Sequence, residues 1–259
     1  MKAYRNILVS CDGAIAFVTM NRPEKRNALS VEHMEELIDC FEAIGVDAGV
    51  SVVILRGEGP AFSAGHDLAE MVGQTTELYQ HEFAVCAKLM EAVVSIPQPV
   101  IAEVHGVATA AGCQLVATCD LAVASEEARF ATPGVKIGLF CSTPAVAVSR
   151  KVGRKMAMEM LLTGDFISAE EALAAGLVNR VVPAAELRDA TRALAEKIAS
   201  ASPLVVGIGK QAFYRQIEMP LQEAYEYTSE VMVSNAELAD AQEGMRAFLE
   251  KRKPEWRGR

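Results

Sequence analysis

Several kinds of signal are missing from this 259-residue chain, and each absence removes a class of function. No apolar run approaches the roughly 18 residues of a membrane span, so no transmembrane helix is expected. There is no Gly-x-Gly-x-x-Gly and no P-loop, the backbone cradles for dinucleotides and nucleoside triphosphates. The six cysteines (Cys11, Cys40, Cys86, Cys113, Cys119 and Cys141) include no Cys-x-x-Cys pair. His81-Glu82 lacks the second histidine of a zinc helix, so no metal set is read. Mostly apolar contexts make these thiols small buried hydrophobes of a reducing compartment. Positive charge is short as well: 25 Lys and Arg stand against 34 Asp and Glu, a net charge of −9. That balance argues against nucleic acid and anionic membrane as partners. Any anionic ligand must then be held by local donors. The N-terminal segment has neither an apolar signal region nor an Arg/Ser-rich transit stretch, and the expected location is cytoplasmic.

What is present begins with two small-residue segments, Ala61-Phe-Ser-Ala-Gly-His-Asp-Leu68 and His105-Gly-Val-Ala-Thr-Ala-Ala-Gly-Cys-Gln114. Gly, Ala and Ser let a ligand approach the backbone closely. Two such segments beside β-rich runs can aim two backbone N–H groups at one point, the geometry of an oxyanion hole. Ser63, His66 and Asp67 do not form a triad, because residues this close in sequence cannot converge as a nucleophile chain.

The surrounding pattern alternates strand and helix. Ile7–Ser10 and Ala14–Met20 read as strands around an Asp12-Gly13 turn. Ser30 reads as the N-cap of a helix to about Ile44, and Val50–Arg56 as a strand buried on both faces. A helix over roughly Glu77–Ile96 stops before Pro97 and Pro99. Val100–Val104 and Leu121–Ala124 read as strands and Ala111–Thr118 as a helix. Lys155–Leu162 is a helix ending near Gly164, and Ser168 caps another with Gly176 as its stop. From about Ala184 the pattern is purely helical. The fold class is α/β, with residues 1–200 as the core and 201–259 as a C-terminal helical region.

These segments, taken in order, resemble the crotonase (enoyl-CoA hydratase/isomerase) superfamily over nearly the whole chain. The resemblance rests on Asn21-Arg-Pro…Asn27-Ala-Leu, Phe62-Ser-Ala-Gly-His-Asp-Leu68 and Pro99-Val-Ile-Ala…Gly106…Gly112-Cys-Gln. It continues through Cys119-Asp-Leu-Ala-Val-Ala, Leu162-Thr-Gly and Ala172…Ala175-Gly-Leu-Val-Asn-Arg-Val-Val. The stretches Ala131–Pro144 and Glu243–Trp256 are similar to the enoyl-CoA hydratase domain-containing protein 3 group and its bacterial relatives. The tail and Ala64-Gly-His-Asp also resemble a methylmalonyl-CoA decarboxylase branch.

The resemblance implies a crotonase-like spiral of ββα units with a C-terminal trimerisation region, as a homotrimer or a dimer of trimers. It implies an acyl-CoA thioester as ligand and no cofactor beyond the CoA moiety. Carried over by motif, the hole donors are the N–H groups of His66 and Ala111. Ala64, Asp67, Leu68 and Ala69 belong to the CoA-facing segment, and Lys25 and Arg26 fall where the family meets CoA phosphates. Lys210 and Phe213 are expected to reach CoA in a neighbouring subunit.

The same alignment puts Gln114 and Gly134 where hydratases carry two glutamates. Neutral Gln holds a water but cannot take its proton, and Gly134 supplies only backbone. Efficient hydration is therefore not expected; decarboxylation, or CoA-ester binding without turnover, is the alternative. Cys141 falls about where the decarboxylase branch places a tyrosine, in a loop with Ser142 and Thr143. It is a candidate donor or nucleophile, with an inert packed thiol as the plainer reading. Glu82 is a candidate replacement acid, against the plainer reading of a solvated helix face.

Overall fold

The first two strands, β1 (Ile7–Asp12) and β2 (Ile15–Met20), form an antiparallel hairpin in which Asp12 faces Ile15. The two loop residues are thus Gly13 and Ala14, one position beyond the expected pair. Gly13 sits at φ +57°, which a residue without Cβ adopts freely. The computed structural model describes residues 2–258.

Helix α1 (Val31–Gly45) starts where Ser30 accepts from the His33 N–H, and buries Met34, Leu37, Ile38, Phe41 and Ile44 at helical spacing. Then come β3 (Val52–Gly57), β4 (Ala61–Ser63), the one-turn helix α2 (Leu68–Met71) and the long helix α3 (Thr76–Ser95). The pattern repeats with β5 (Val100–Val104), β6 (Val107–Thr109) and α4 (Ala111–Thr118). It repeats again with β7 (Leu121–Ser125), β8 (Arg129–Ala131), α5 (Ser142–Val148) and α6 (Arg154–Thr163). β9 (Ile167–Ser168), α7 (Ala169–Ala175) and β10 (Arg180–Val182) close the core. Helices α8 (Leu187–Ala199), α9 (Pro203–Gln216), α10 (Leu221–Glu237) and α11 (Ala239–Leu249) complete the chain.

Each ββα unit gives one strand to each of two sheets, which is what makes the chain a spiral. The larger sheet has the order β1-β2-β3-β5-β7-β10 and the smaller β4-β6-β8-β9. Successive residues of β3 face opposite sides: Val53 and Leu55 join the main core, while Val52 and Ile54 pack with Leu187 and Ala195 of α8. A strand covered on both faces must be apolar throughout, which explains the unbroken run.

Three-residue strands such as β4, β6 and β8 carry too few side chains for a period-2 pattern, so they escaped the sequence reading. The expected loop at Cys141–Thr143 is also corrected: Cys141 immediately precedes the first turn of α5. The smaller sheet decides where the site lies. β4 and β6 run parallel, with Ser63 opposite Ala108, so the residues that follow each strand emerge side by side.

Candidate active site

After β4 the chain is pinned to Leu29. The Leu29 N–H donates to Gly65 O (2.8 Å) and the Asp67 N–H to Leu29 O (3.1 Å). Successive N–H groups of an extended chain point in opposite directions, so the His66 N–H turns away from Leu29. No backbone carbonyl among the described residues accepts it. Asn27 braces this segment: its side-chain nitrogen donates to Ala61 O and Glu58 O, and its carbonyl accepts from Ser63 Oγ. That explains why the Asn21–Leu29 stretch carries a motif although its asparagine is buried.

After β6, Ala110 sits at φ +50° and ψ −119°, a conformation that side chains with a Cβ rarely adopt. This bend starts α4, whose first N–H groups have no intrahelical partner. The Ala111 N–H therefore also lacks a carbonyl acceptor among the described residues. The two segments are in contact. An ideal Cβ on Gly65 would lie 3.2 Å from Ala111 N and 2.8 Å from the Ala110 Cβ, and one on Gly112 would collide with Ser63 O. Thr109 Oγ1 ties them by donating to Ala64 O at 3.0 Å. Both glycines are thus required by close approach, and the free N–H groups of His66 and Ala111 lie at one junction.

Beside the junction is a cavity of about 600 Å³, lined by Ala64, His66, Leu68, Met71, Phe83, Ala110, Gly134, Leu139, Phe140 and Cys141 among others. Its wall is largely apolar. Lys136 also lines it, with its Nζ 2.6 Å from Asp165 Oδ1. The His66 ring packs edge-on to Phe83 with centroids 5.7 Å apart, and its Nε2 is buried without a partner. Burial pulls this imidazole down to about 4, so it is neutral at physiological pH. The apolar lining residues Met71, Phe83, Leu139 and Phe140 were missed in the sequence. For Leu139 and Phe140 the signal was the apolar run Ile137-Gly-Leu-Phe140, which is exposed in the fold; Met71 and Phe83 carry none.

Asp67 is the N-cap of α2, accepting from the Ala69 N–H, and is ion-paired with Arg22 at 3.0 Å. Lys25 and Arg26 are exposed, and the Arg26 carbonyl accepts from the Ala64 N–H, so their loop borders the same segment. Gln114, on α4 one turn after Ala111, is buried, and its Oε1 is 3.9 Å from Cys86 Sγ. Gly134 is closed off: a Cβ there would collide with Leu139 O and meet Cys141 Sγ at 2.8 Å.

Two expectations are corrected, for Lys210 and Glu82, and for Cys141 the plainer reading is favoured. Lys210 does not reach outward; only 9% exposed, its Nζ donates to Val93 O and Gln98 O and pairs with Asp120 at 2.8 Å. With its donors spent inside, it has none for CoA, whereas Phe213 on the same helix is half exposed. Burial pushes the Cys141 thiol up, against the opposing pull of the Gly134 N–H, from which its sulfur accepts at 3.3 Å; this favours the packed thiol over an activated nucleophile. Glu82 does not lie on a solvated face: it is 3% exposed and its Oε1 has no hydrogen-bond partner.

A family model described as Enoyl-CoA hydratase/isomerase matches residues 10–259. The mitochondrial enoyl-CoA hydratase domain-containing protein 3 of Xenopus laevis is 51% identical over 240 residues, 92% of this chain and 82% of its own length. The human counterpart is also 51% identical, over 92% and 79%. The crystal structure of the human protein superposes with a TM-score of 0.95 at 49% identity, covering 97% of this chain and 100% of that one. An enoyl-CoA hydratase structure from Mycobacterium smegmatis gives 0.96 at 49% identity, covering 97% and 99%. The Xenopus and human names overturn the expectation of a cytoplasmic location, since both relatives are mitochondrial.

Proposed function

We propose that this chain, which belongs to the enoyl-CoA hydratase/isomerase family, binds an acyl-CoA thioester and stabilises its enolate between the N–H groups of His66 and Ala111. The observation that supports the proposal is that two N–H groups without a backbone acceptor among the described residues, on segments in contact with each other, lie beside a largely apolar cavity. Negative charge on the thioester oxygen is held there by donors that need no reorganisation, and losing one typically costs about 2.7–4 kcal/mol of barrier. The positive end of α4 adds to the same effect. The acyl group enters the wall formed by Met71, Phe83, Leu139 and Phe140, which favours an aliphatic chain. Lys25 and Arg26 meet the CoA phosphates at the rim. No cofactor beyond the CoA of the substrate is needed.

Hydration of a 2-enoyl-CoA is weak in this reading, because Gln114 takes no proton and the space at Gly134 belongs to Leu139 O. Decarboxylation is the second reading. It needs the hole but no general base, and the apolar wall disfavours a carboxylate relative to CO2. The cation on that wall, Lys136, is engaged by Asp165. Residues 201–259 supply the oligomer contact; Leu221, Tyr225, Phe248 and Leu249 are exposed there and support a trimer or a dimer of trimers.

Equilibrium binding of octanoyl-CoA and of free CoA, with crotonyl-CoA hydration and methylmalonyl-CoA decarboxylation assays, tests these statements. We expect octanoyl-CoA to bind well above CoA and crotonyl-CoA hydration near background. Hydration at rates typical of glutamate-bearing hydratases would refute the assignment of Gln114 and Gly134. Light scattering of the purified protein reads the trimer.

A further inference from the structure

The two acid positions expected from the family are blank, yet a carboxyl group is buried on the helix packed beside the hole segments. Glu82 lies on α3 one residue before Phe83, which lines the cavity and packs on His66. One turn further along the same helix, the Cys86 thiol reaches Gln114 on α4. Glu82 is thus one helical turn from the residue that meets Gln114 and adjacent in the chain to the one that packs on His66. It is 3% exposed, has no ion pair among the described residues, and its Oε1 lacks any hydrogen-bond donor. A buried carboxyl left without donors is costly, and structural carboxylates are normally paired.

We propose that Glu82 is the proton-transfer residue of this site, exchanging a proton with the thioester α-carbon directly or through one water held by the Gln114 amide. The proposal rests on the acyl-CoA reading above. In the forward step the α C–H bond breaks and its proton goes to the Glu82 carboxylate. The electron pair moves into the thioester, and the oxyanion is held by the His66 and Ala111 N–H groups. Return of the proton to the α-carbon completes exchange. With a 3-enoyl-CoA, whose enolate is a conjugated dienolate, return to the γ-carbon instead gives the 2-enoyl-CoA, and neither outcome needs an oxidant or reductant.

The electrostatics suit that role. Glu82 is pushed up to about 6, first by burial and then by the charges of Glu70 and Asp67. A base poised near the working pH transfers protons in both directions. The titratable groups around it are Asp67, paired with Arg22, Glu70, which accepts from the Val31 N–H, Cys86, pushed up to about 12, and the neutral His66 one ring away. The His66 imidazole, pulled down to about 4 by burial, holds a proton too weakly to return one at neutral pH.

The test is α-proton exchange of octanoyl-CoA in D2O, followed by mass spectrometry, with octanoyl-CoA binding measured in parallel. We expect the wild type to exchange, with a rate that rises through an inflection near pH 6. Glu82→Gln is expected to lose about 100-fold or more, with octanoyl-CoA affinity unchanged within about twofold and no inflection in the residual rate. Unchanged exchange in Glu82→Gln overturns the proposal. So does a wild type that binds octanoyl-CoA without exchange, or one whose exchange is flat from pH 5 to 8, a result that needs no variant to fold. Failure of octanoyl-CoA to bind at all would instead overturn the acyl-CoA reading beneath it.

Discussion

Two regions of this protein bury ionisable side chains, and they are built on opposite terms. Under α9, Lys210 donates to Val93 O, Gln98 O and Asp120, while Asp120 also accepts from the Val100 N–H and the Tyr214 hydroxyl. Every donor has its acceptor. Beside the cavity, Glu82 Oε1 and His66 Nε2 are equally buried and have no partner. Ionisable groups withdrawn from water cost several kcal/mol unless they are paired. The first region repays that cost internally and works as a joint between the C-terminal helices and the core. The second leaves it outstanding, as a site does when a guest is to complete it.

The largest expected effect breaks the joint. Lys210→Met leaves Asp120 without its ammonium and should cost about 3–5 kcal/mol, read from the urea midpoint. The remaining folded protein should keep its octanoyl-CoA affinity; a selective loss of affinity would return Lys210 to the binding site and dissolve the contrast. Next in size is Gly134→Glu, which restores the carboxyl of a hydratase in sequence only. Its Cβ meets Leu139 O, so the change should cost about 1–3 kcal/mol and leave crotonyl-CoA hydration near background.

The third prediction reverses the usual sign of a buried substitution. The Glu82 carboxyl is raised from its ordinary value of 4.5 to about 6, so the folded state binds its proton more tightly than the unfolded chain does. Stability is therefore lost as pH rises from 4.5 through 6. Glu82→Gln should stabilise the protein by about 1–2 kcal/mol at pH 7.5, with the gain vanishing by pH 4.5 in paired melting curves. A destabilised variant at pH 7.5 would mean that Glu82 belongs to a satisfied network like that of Lys210. The smallest effect concerns thiols. Cys11 is exposed, whereas Cys40, Cys86, Cys113, Cys119 and Cys141 are buried. Cys86 and Cys113 are pushed up to about 12 by burial. Native labelling should modify Cys11 alone, and rapid labelling of Cys141 would revive it as a reactive group.

Much of this was legible before any coordinates. The helix caps at Ser30 and Ser168, the stop at Gly176 and the doubly covered strand β3 follow from local rules, because a cap or a pleat involves residues a few positions apart. The two small-residue segments were visible for the same reason. What was illegible concerns residues far apart in sequence. Lys210 looks like a free surface cation until Asp120, 90 positions earlier, is placed beside it. Glu82 looks like the polar face of an amphipathic helix until the packed structure leaves it only 3% exposed. Cys141 looks like a loop thiol until the Gly134 N–H is found against its sulfur.

By itself, then, the sequence determined the family, the α/β spiral and the two glycine-bearing segments. These are statements about which residue types occupy which ordered positions, and backbone geometry near each follows from short-range sterics. Only the tertiary structure decided where charge is buried, which donors are already spent and whether a missing side chain has room to return. Those depend on solvent exclusion, a property of whole packed layers that no local stretch of chain contains.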